Sequence, residues 1–127
     1  MHFLYTQFNA VGVKIFFPVL NWGLGHASRS LPLIKNYLDL GHEVICASDG
    51  ESLTMLRRDL PELMVLELPG YGILYGSRFM PINMLKHGPG MLRTLRTEHE
   101  LTLAIVKRHR IDCIISDNRY GCYHDDI

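Results

Sequence analysis

Three short apolar runs separated by two helix-length stretches constrain this chain more than any other feature. Val13 to Leu20 (VKIFFPVL) is apolar with a single charge, the pattern of a strand buried on both faces of a parallel sheet. Asn21 to Gly25 breaks that run. From Ala27 to Leu40 the apolar residues Leu31, Ile34 and Leu38 recur at helical spacing, Pro32 lies in the first turns, and Gly41 stands where a helix-ending glycine belongs. His42 to Ser48 (HEVICAS) reads as the next strand, Gly50 to Leu60 as a helix with Leu53, Leu56 and Leu60 on one side, and Met64 to Leu68 (MVLEL) as a third strand. A parallel return needs a helix-sized crossover, so this βαβαβ alternation predicts a parallel sheet with right-handed connections.

Beyond Leu68 the pattern first weakens and then returns. Pro69 to Pro89 is rich in Gly, Pro, Tyr and Met without a steady period. It is too long for an ordinary connection and is expected to be a functional loop or to hold a short helix. Its Tyr71, Tyr75, Phe79, Met80 and Met84 suit either ordinary packing or an acceptor cradle. Met91 to Arg110 predicts a long amphipathic helix, with Leu92, Leu95, His99, Leu103 and Val106 on one face and Arg93, Arg96, Glu100, Lys107 and Arg108 elsewhere. Ile111 to Ser116 (IDCIIS) predicts a fourth strand ending at Asp117. The expected fold class is α/β, a doubly wound, Rossmann-like parallel sheet of strand order 3-2-1-4. A fourth strand at the margin leaves an apolar edge, which natural domains avoid. Residues 1–127 are therefore expected to form one α/β domain that is truncated, with more chain beyond Ile127. Met1 to Gly12 precedes the first strand and is expected to be a ragged extension.

Composition excludes several partner classes. Thirteen Lys plus Arg balance thirteen Asp plus Glu in 127 residues, so no overall field draws the chain to nucleic acid. No apolar run approaches the ~18 residues of a spanning helix. The three cysteines are odd in number, and Cys46 and Cys113 sit inside apolar runs where a reduced, buried thiol fits. A cytoplasmic setting is expected. His124, Asp125 and Asp126 are of metal-ligating type, but no second cluster accompanies them; they read as tail residues, and no metal is expected.

The chemistry concentrates where the first strand meets its helix. Gly23, Gly25 and the helix opening near Ala27 put bare backbone N–H groups and a positive helix end at the carboxyl edge of that strand, which suits an anionic or polyhydroxylated ligand. The spacing approaches the dinucleotide fingerprint G-x-G-x-x-G, with Asp49 at the end of the second strand where a ribose-binding acid belongs. Against that, Ser28 stands in the third glycine position and His26 fills the middle. An NAD(P)-binding oxidoreductase domain is thus one alternative.

The stretch Phe16 to Gly50, FFPVLNWGLGHASRSLPLIKNYLDLGHEVICASDG, resembles the opening of glycosyltransferases of the two-domain GT-B kind. These include the bacterial enzyme that glycosylates lipid-linked muramyl peptide and the UDP-sugar-dependent small-molecule enzymes. The shared features are a first strand, a Gly-His loop at Gly25 and His26, and a Gly-His-Glu-Val entry to the second strand at Gly41 to Val44. The likeness returns at Ile114 to Tyr120 (IISDNRY) and is only topological between. It implies that these residues form the incomplete N-terminal, acceptor-side half of such an enzyme, with the donor-binding domain absent. The implied reaction is inverting, metal-independent transfer of a sugar from a nucleotide-sugar donor to an acceptor hydroxyl. The acceptor is a sugar, a lipid-linked molecule or a small molecule, and a lipid-linked one admits peripheral contact with a membrane. No cofactor is implied beyond the nucleotide sugar as co-substrate. A GT-B-fold sugar-nucleotide epimerase and a non-catalytic sugar-binding module remain alternatives.

In the small-molecule enzymes the histidine of the Gly-His loop is the general base and a later aspartate orients it. The resemblance carries these roles to His26 and Asp117. Asn21, Gly23, Leu24 and Gly25 of the loop, with Ser28 and Arg29 of the first helical turn, are the candidate substrate contacts on one side by their position. Asn118, Arg119 and Tyr120 are those on the other. Topology supports the pairing separately. With order 3-2-1-4 the winding reverses between the first and fourth strands, and ligands of such sheets bind outside their carboxyl ends. Adjacent strands lie ~4.8 Å apart, close enough for His26 and Asp117 to meet. The plainer alternatives are a histidine that caps the helix or hydrogen-bonds a carbonyl, a solvated Arg29, an Asp-Asn turn, and loop residues Asn118 to Tyr120 that are polar for general reasons.

Overall fold

The computed structural model describes residues 12–70 and 80–127. Its elements in order are β1 (Lys14–Pro18), α1 (Gly25–Asp39), β2 (Glu43–Ser48), α2 (Gly50–Asp59), β3 (Val65–Glu67), α3 (Met80–His109) and β4 (Cys113–Ile114). All strand pairs are parallel, and the order is β3-β2-β1-β4, the Rossmann-like arrangement that the alternation predicts.

Alternate residues of β1 feed two separate cores. Ile15, Phe17 and Val19 pack with Ala27, Leu31 and Ile34 of α1 and Leu53 and Leu56 of α2. Phe16 turns to the opposite face with Ala47, Leu68, Val106 and Ile111. Helices therefore cover both faces, and a strand buried on both sides must be apolar at every position, as KIFFP nearly is.

Helix α1 ends in a Schellman arrangement. Gly41, at φ +90°, donates its N–H to the Leu38 carbonyl, and His42 donates to Tyr37. A glycine is needed there because a Cβ disfavours that left-handed backbone. This stop turns the chain directly into β2.

Two expectations are corrected. The fourth strand is regular only over Cys113–Ile114, rather than from Ile111 to Ser116. Pro18 faces it: its carbonyl accepts the Asp117 N–H at 2.9 Å, but a proline has no N–H to continue the ladder. The chain nonetheless stays alongside β1 through Asp117, which bridges to Val19 and whose carbonyl accepts the Leu20 N–H at 3.0 Å. The long helix begins at Met80 rather than Met91, so residues 80–89 are helical. Its buried positions also differ from the expected stripe. Glu98, Thr102 and Val106 are buried, whereas Leu92 and Leu103 are exposed.

Residues 1–11 lie outside the described residues, as do Tyr71, Tyr75 and Phe79 and the side chains of Met80 and Met84. Among the described residues no helix is long and apolar enough to cross a membrane.

Candidate active site

β1 and the segment after β4 run side by side to the carboxyl edge, so the residues that follow each of them are forced together. His26 enters from the first turn of α1 and Asp117 from the end of the fourth strand. The His26 Nδ1 lies 3.1 Å from the Asp117 Oδ1. Both side chains are partly open, at 19% and 15% exposure. Among the described residues no protein group engages the His26 Nε2, which leaves that nitrogen for a ligand.

Asp117 is held from several sides. Ser30 Oγ donates to its Oδ2 at 2.9 Å, and Asn118 Nδ2 donates to its Oδ1 at 3.3 Å. Its backbone is clamped between Pro18 and Leu20. Asn118 takes a left-handed φ of +59°, a conformation that Asn tolerates better than most residues. That turn ends the strand and presents the carboxylate sideways to α1. Ser30 was not among the residues singled out from the sequence. Its signal was its position four residues after His26, on the same helical face.

Arg29 is the third member. Its Nη2 lies 2.9 Å from the His26 Nδ1 and 3.5 Å from the Asp117 Oδ1, and its side chain is 64% exposed. Arg29, Ser30, Leu33, Ile115, Ser116 and Asp117 line a depression of about 200 Å³. Typical small-molecule sites occupy roughly 300–1,000 Å³, so this depression by itself suits a group rather than a whole nucleotide sugar.

The glycine loop splits between exposure and bracing. Leu24 and Ser28 are exposed, with Ser28 Oγ 4.0 Å from the Met55 Sδ, and Gly25 opens α1. Gly23, at φ +64°, presents its carbonyl to Ser52 Oγ at 3.2 Å. Asn21 does not line the open crevice. Its side chain is buried, and its Oδ1 accepts the Ser52 N–H at 3.2 Å, so it caps α2 from outside that helix. It can do so because Asp49, the residue in the capping position of α2, makes no cap hydrogen bond.

Asp49 is committed elsewhere, and with it Arg119. Arg119 is corrected from a crevice residue to a buried tie, with a side chain that is 0% exposed. Its Nε donates to Glu98 Oε1 at 2.7 Å, its Nη1 to Asp49 Oδ1 at 2.8 Å, and its Nη2 to the Pro69 carbonyl at 3.2 Å. Glu98 Oε2 in turn accepts the Gly121 N–H at 3.2 Å. One guanidinium thereby joins α3 to the ends of β2 and β3. No sequence periodicity announces this, since a Glu on a helix face reads as solvated. Tyr120 is exposed.

The cysteine thiols stand apart from this chemistry. Burial pushes Cys46 up to about 12. It does the same to Cys122, assisted by the neighbouring Glu98 charge. Cys113 is also raised, first by burial and then by Asp112. Thiols so held are poor nucleophiles. Among the described residues no group of three or more His, Cys, Asp or Glu is placed to hold a metal ion.

No known family model matches this chain, and no curated protein matches it.

Proposed function

We propose that this chain supplies the acceptor side and the general base of a nucleotide-sugar-dependent glycosyltransferase of the two-domain GT-B kind. The observation that carries the reading is the 3.1 Å approach of His26 Nδ1 to Asp117 at the carboxyl edge, between β1 and the fourth strand. A carboxylate that accepts a hydrogen bond from Nδ1–H fixes the tautomer and leaves Nε2 bare to take a proton. In the proposed reaction Nε2 takes the proton of an acceptor hydroxyl while that oxygen forms a bond to the anomeric carbon. The bond from this carbon to the nucleotide diphosphate breaks, and the diphosphate departs with the electron pair. In-line attack inverts the anomeric centre. The donor-binding half is proposed to lie outside these 127 residues, in keeping with the small depression beside the dyad.

The oxidoreductase alternative loses support from Asp49. The acid that would hold a ribose is ion-paired to Arg119 and lies 3.4 Å from Asn21 Nδ2. An epimerase of the same architecture would act on its sugar nucleotide without an acceptor.

In the full-length enzyme, supplied with a nucleotide sugar and an acceptor, His26→Ala should lower turnover by roughly 10²- to 10⁴-fold, the scale of general-base loss. Donor binding should be nearly unchanged. Asp117→Asn should lose less, because the imidazole remains. Unaltered turnover in His26→Ala would end this mechanism. The 127-residue chain alone should show no sugar transfer, and calorimetry should detect no NAD binding.

A further inference from the structure

Two groups compete for one nitrogen in the candidate site. The His26 Nδ1 lies 2.9 Å from Arg29 Nη2 and 3.1 Å from Asp117 Oδ1. A guanidinium only donates hydrogen bonds, and an ionised carboxylate only accepts them. A bare Nδ1 accepts from Arg29 and offers nothing to Asp117. A protonated Nδ1 donates to Asp117 and opposes the Arg29 N–H. In the neutral ring these are the two tautomers, and they differ in chemistry. With the proton on Nε2 the outward nitrogen cannot act as a base. With it on Nδ1, it can.

The geometry favours Arg29 as the holder of Nδ1 at rest. Its contact to that nitrogen is the shorter, while its 3.5 Å distance to Asp117 lies beyond the usual N–H···O range of 2.7–3.2 Å. The mobility of the partners is unequal as well. Asp117 is fixed by Ser30, Asn118 and its own backbone. The Arg29 side chain is mostly in solvent and is free to leave at little cost.

We infer that Arg29 is a positioning residue that sets the tautomer of His26. At rest it holds the Nε2–H form. An incoming phosphate-bearing group draws the guanidinium away, so that Nδ1 gains a proton from solvent, Nε2 releases one, and the proton count of the neutral ring is unchanged. A phosphate is the apt trigger because the planar guanidinium fork matches its oxygens. The arming of the base thus follows arrival of the diphosphate of the donor, and a resting enzyme keeps its base capped. This inference rests on the reading of His26 as the general base.

The test reads the tautomer directly. Histidine ring nitrogens labelled with 15N give distinct long-range proton correlations for the two forms, recorded in the chain with the ring neutral. The free protein should show His26 as the Nε2–H form. Arg29→Ala, and separately saturating inorganic pyrophosphate added to the unaltered protein, should each convert it to the Nδ1–H form, with the melting temperature of Arg29→Ala essentially unchanged. An Nδ1–H pattern in the free protein, or a pattern indifferent to Arg29→Ala or to pyrophosphate, would overturn the inference. Its failure is separable from that of the proposed function. A tautomer that switches while His26→Ala leaves turnover intact ends the base assignment and leaves the switch standing. A tautomer that does not switch while His26→Ala loses turnover does the reverse.

Discussion

Asp117 and Arg119 are separated by one residue, yet they belong to opposite kinds of charged cluster. Asp117 faces His26 and Arg29 at the open carboxyl edge, with 15% of its side chain exposed. Arg119 points inward, where its side chain and that of Glu98 are both fully buried. The left-handed turn at Asn118 sends the two in different directions. In the open cluster one nitrogen has two claimants, Arg29 and Asp117, both partly open to solvent. In the buried cluster the arginine meets Glu98, Asp49 and the Pro69 carbonyl together, with its own side chain and that of Glu98 closed off from solvent. Charged groups of the same types therefore form a solvent-facing cluster in one place and a buried joint in the other.

The largest expected effect comes from breaking the joint. Arg119→Leu leaves Glu98 and Asp49 without their buried cation, and removing one partner of a buried pair costs about 3–5 kcal/mol. That is a large share of the roughly 5–15 kcal/mol that holds a typical domain folded. Urea or thermal unfolding measures it, and a loss below about 1 kcal/mol would erase the distinction between the clusters. A middle value is expected for Ser30→Ala, which removes the buried hydroxyl that donates to Asp117. Hydrogen bonds to charged groups are worth roughly 1.5–3 kcal/mol, and the partial exposure of Asp117 places the stability loss near the bottom of that range. The same variant frees one side of the carboxylate, so the His26 tautomer pattern should also become less well defined. The smallest effect belongs to a surface pair outside both clusters. Lys14 and Glu43 approach to 3.6 Å with both side chains well exposed. Glu43→Ala should change stability by about 0–1 kcal/mol, and added salt should shrink even that. A larger, salt-resistant change there would show that exposure does not govern the strength of these pairs.

The same contrast separates what was legible in the sequence from what was not. The strand-helix alternation specified a parallel sheet because apolar period and crossover length are local properties, and Gly41 marked the end of α1 for the same reason. The meeting of His26 and Asp117 followed from topology once the order 3-2-1-4 was assumed. Ser30 was visible in principle through its spacing from His26. The face of α3 was misread because Glu98 and Thr102 are polar. Glu98 is buried against Arg119, and Thr102 closes its hydroxyl on the Glu98 carbonyl at 2.9 Å, so neither follows the rule that buried helix positions are apolar.

By itself, then, the sequence determined the alternation of strands and helices, since strand, helix and turn signals depend on residues near one another in the chain. With the order 3-2-1-4 assumed, it brought His26 and Asp117 to one edge of the sheet. Only the tertiary structure decided that Asp49 would pair with Arg119 rather than cap α2, that Asn21 would cap it instead, and that Arg29 would contest the nitrogen of His26. The partners in the first two are 70 and 31 residues apart, and Arg29, only three residues from His26, meets that nitrogen beside an Asp117 that is 88 residues away. The burial that selects among such partners does not exist until the layers have packed.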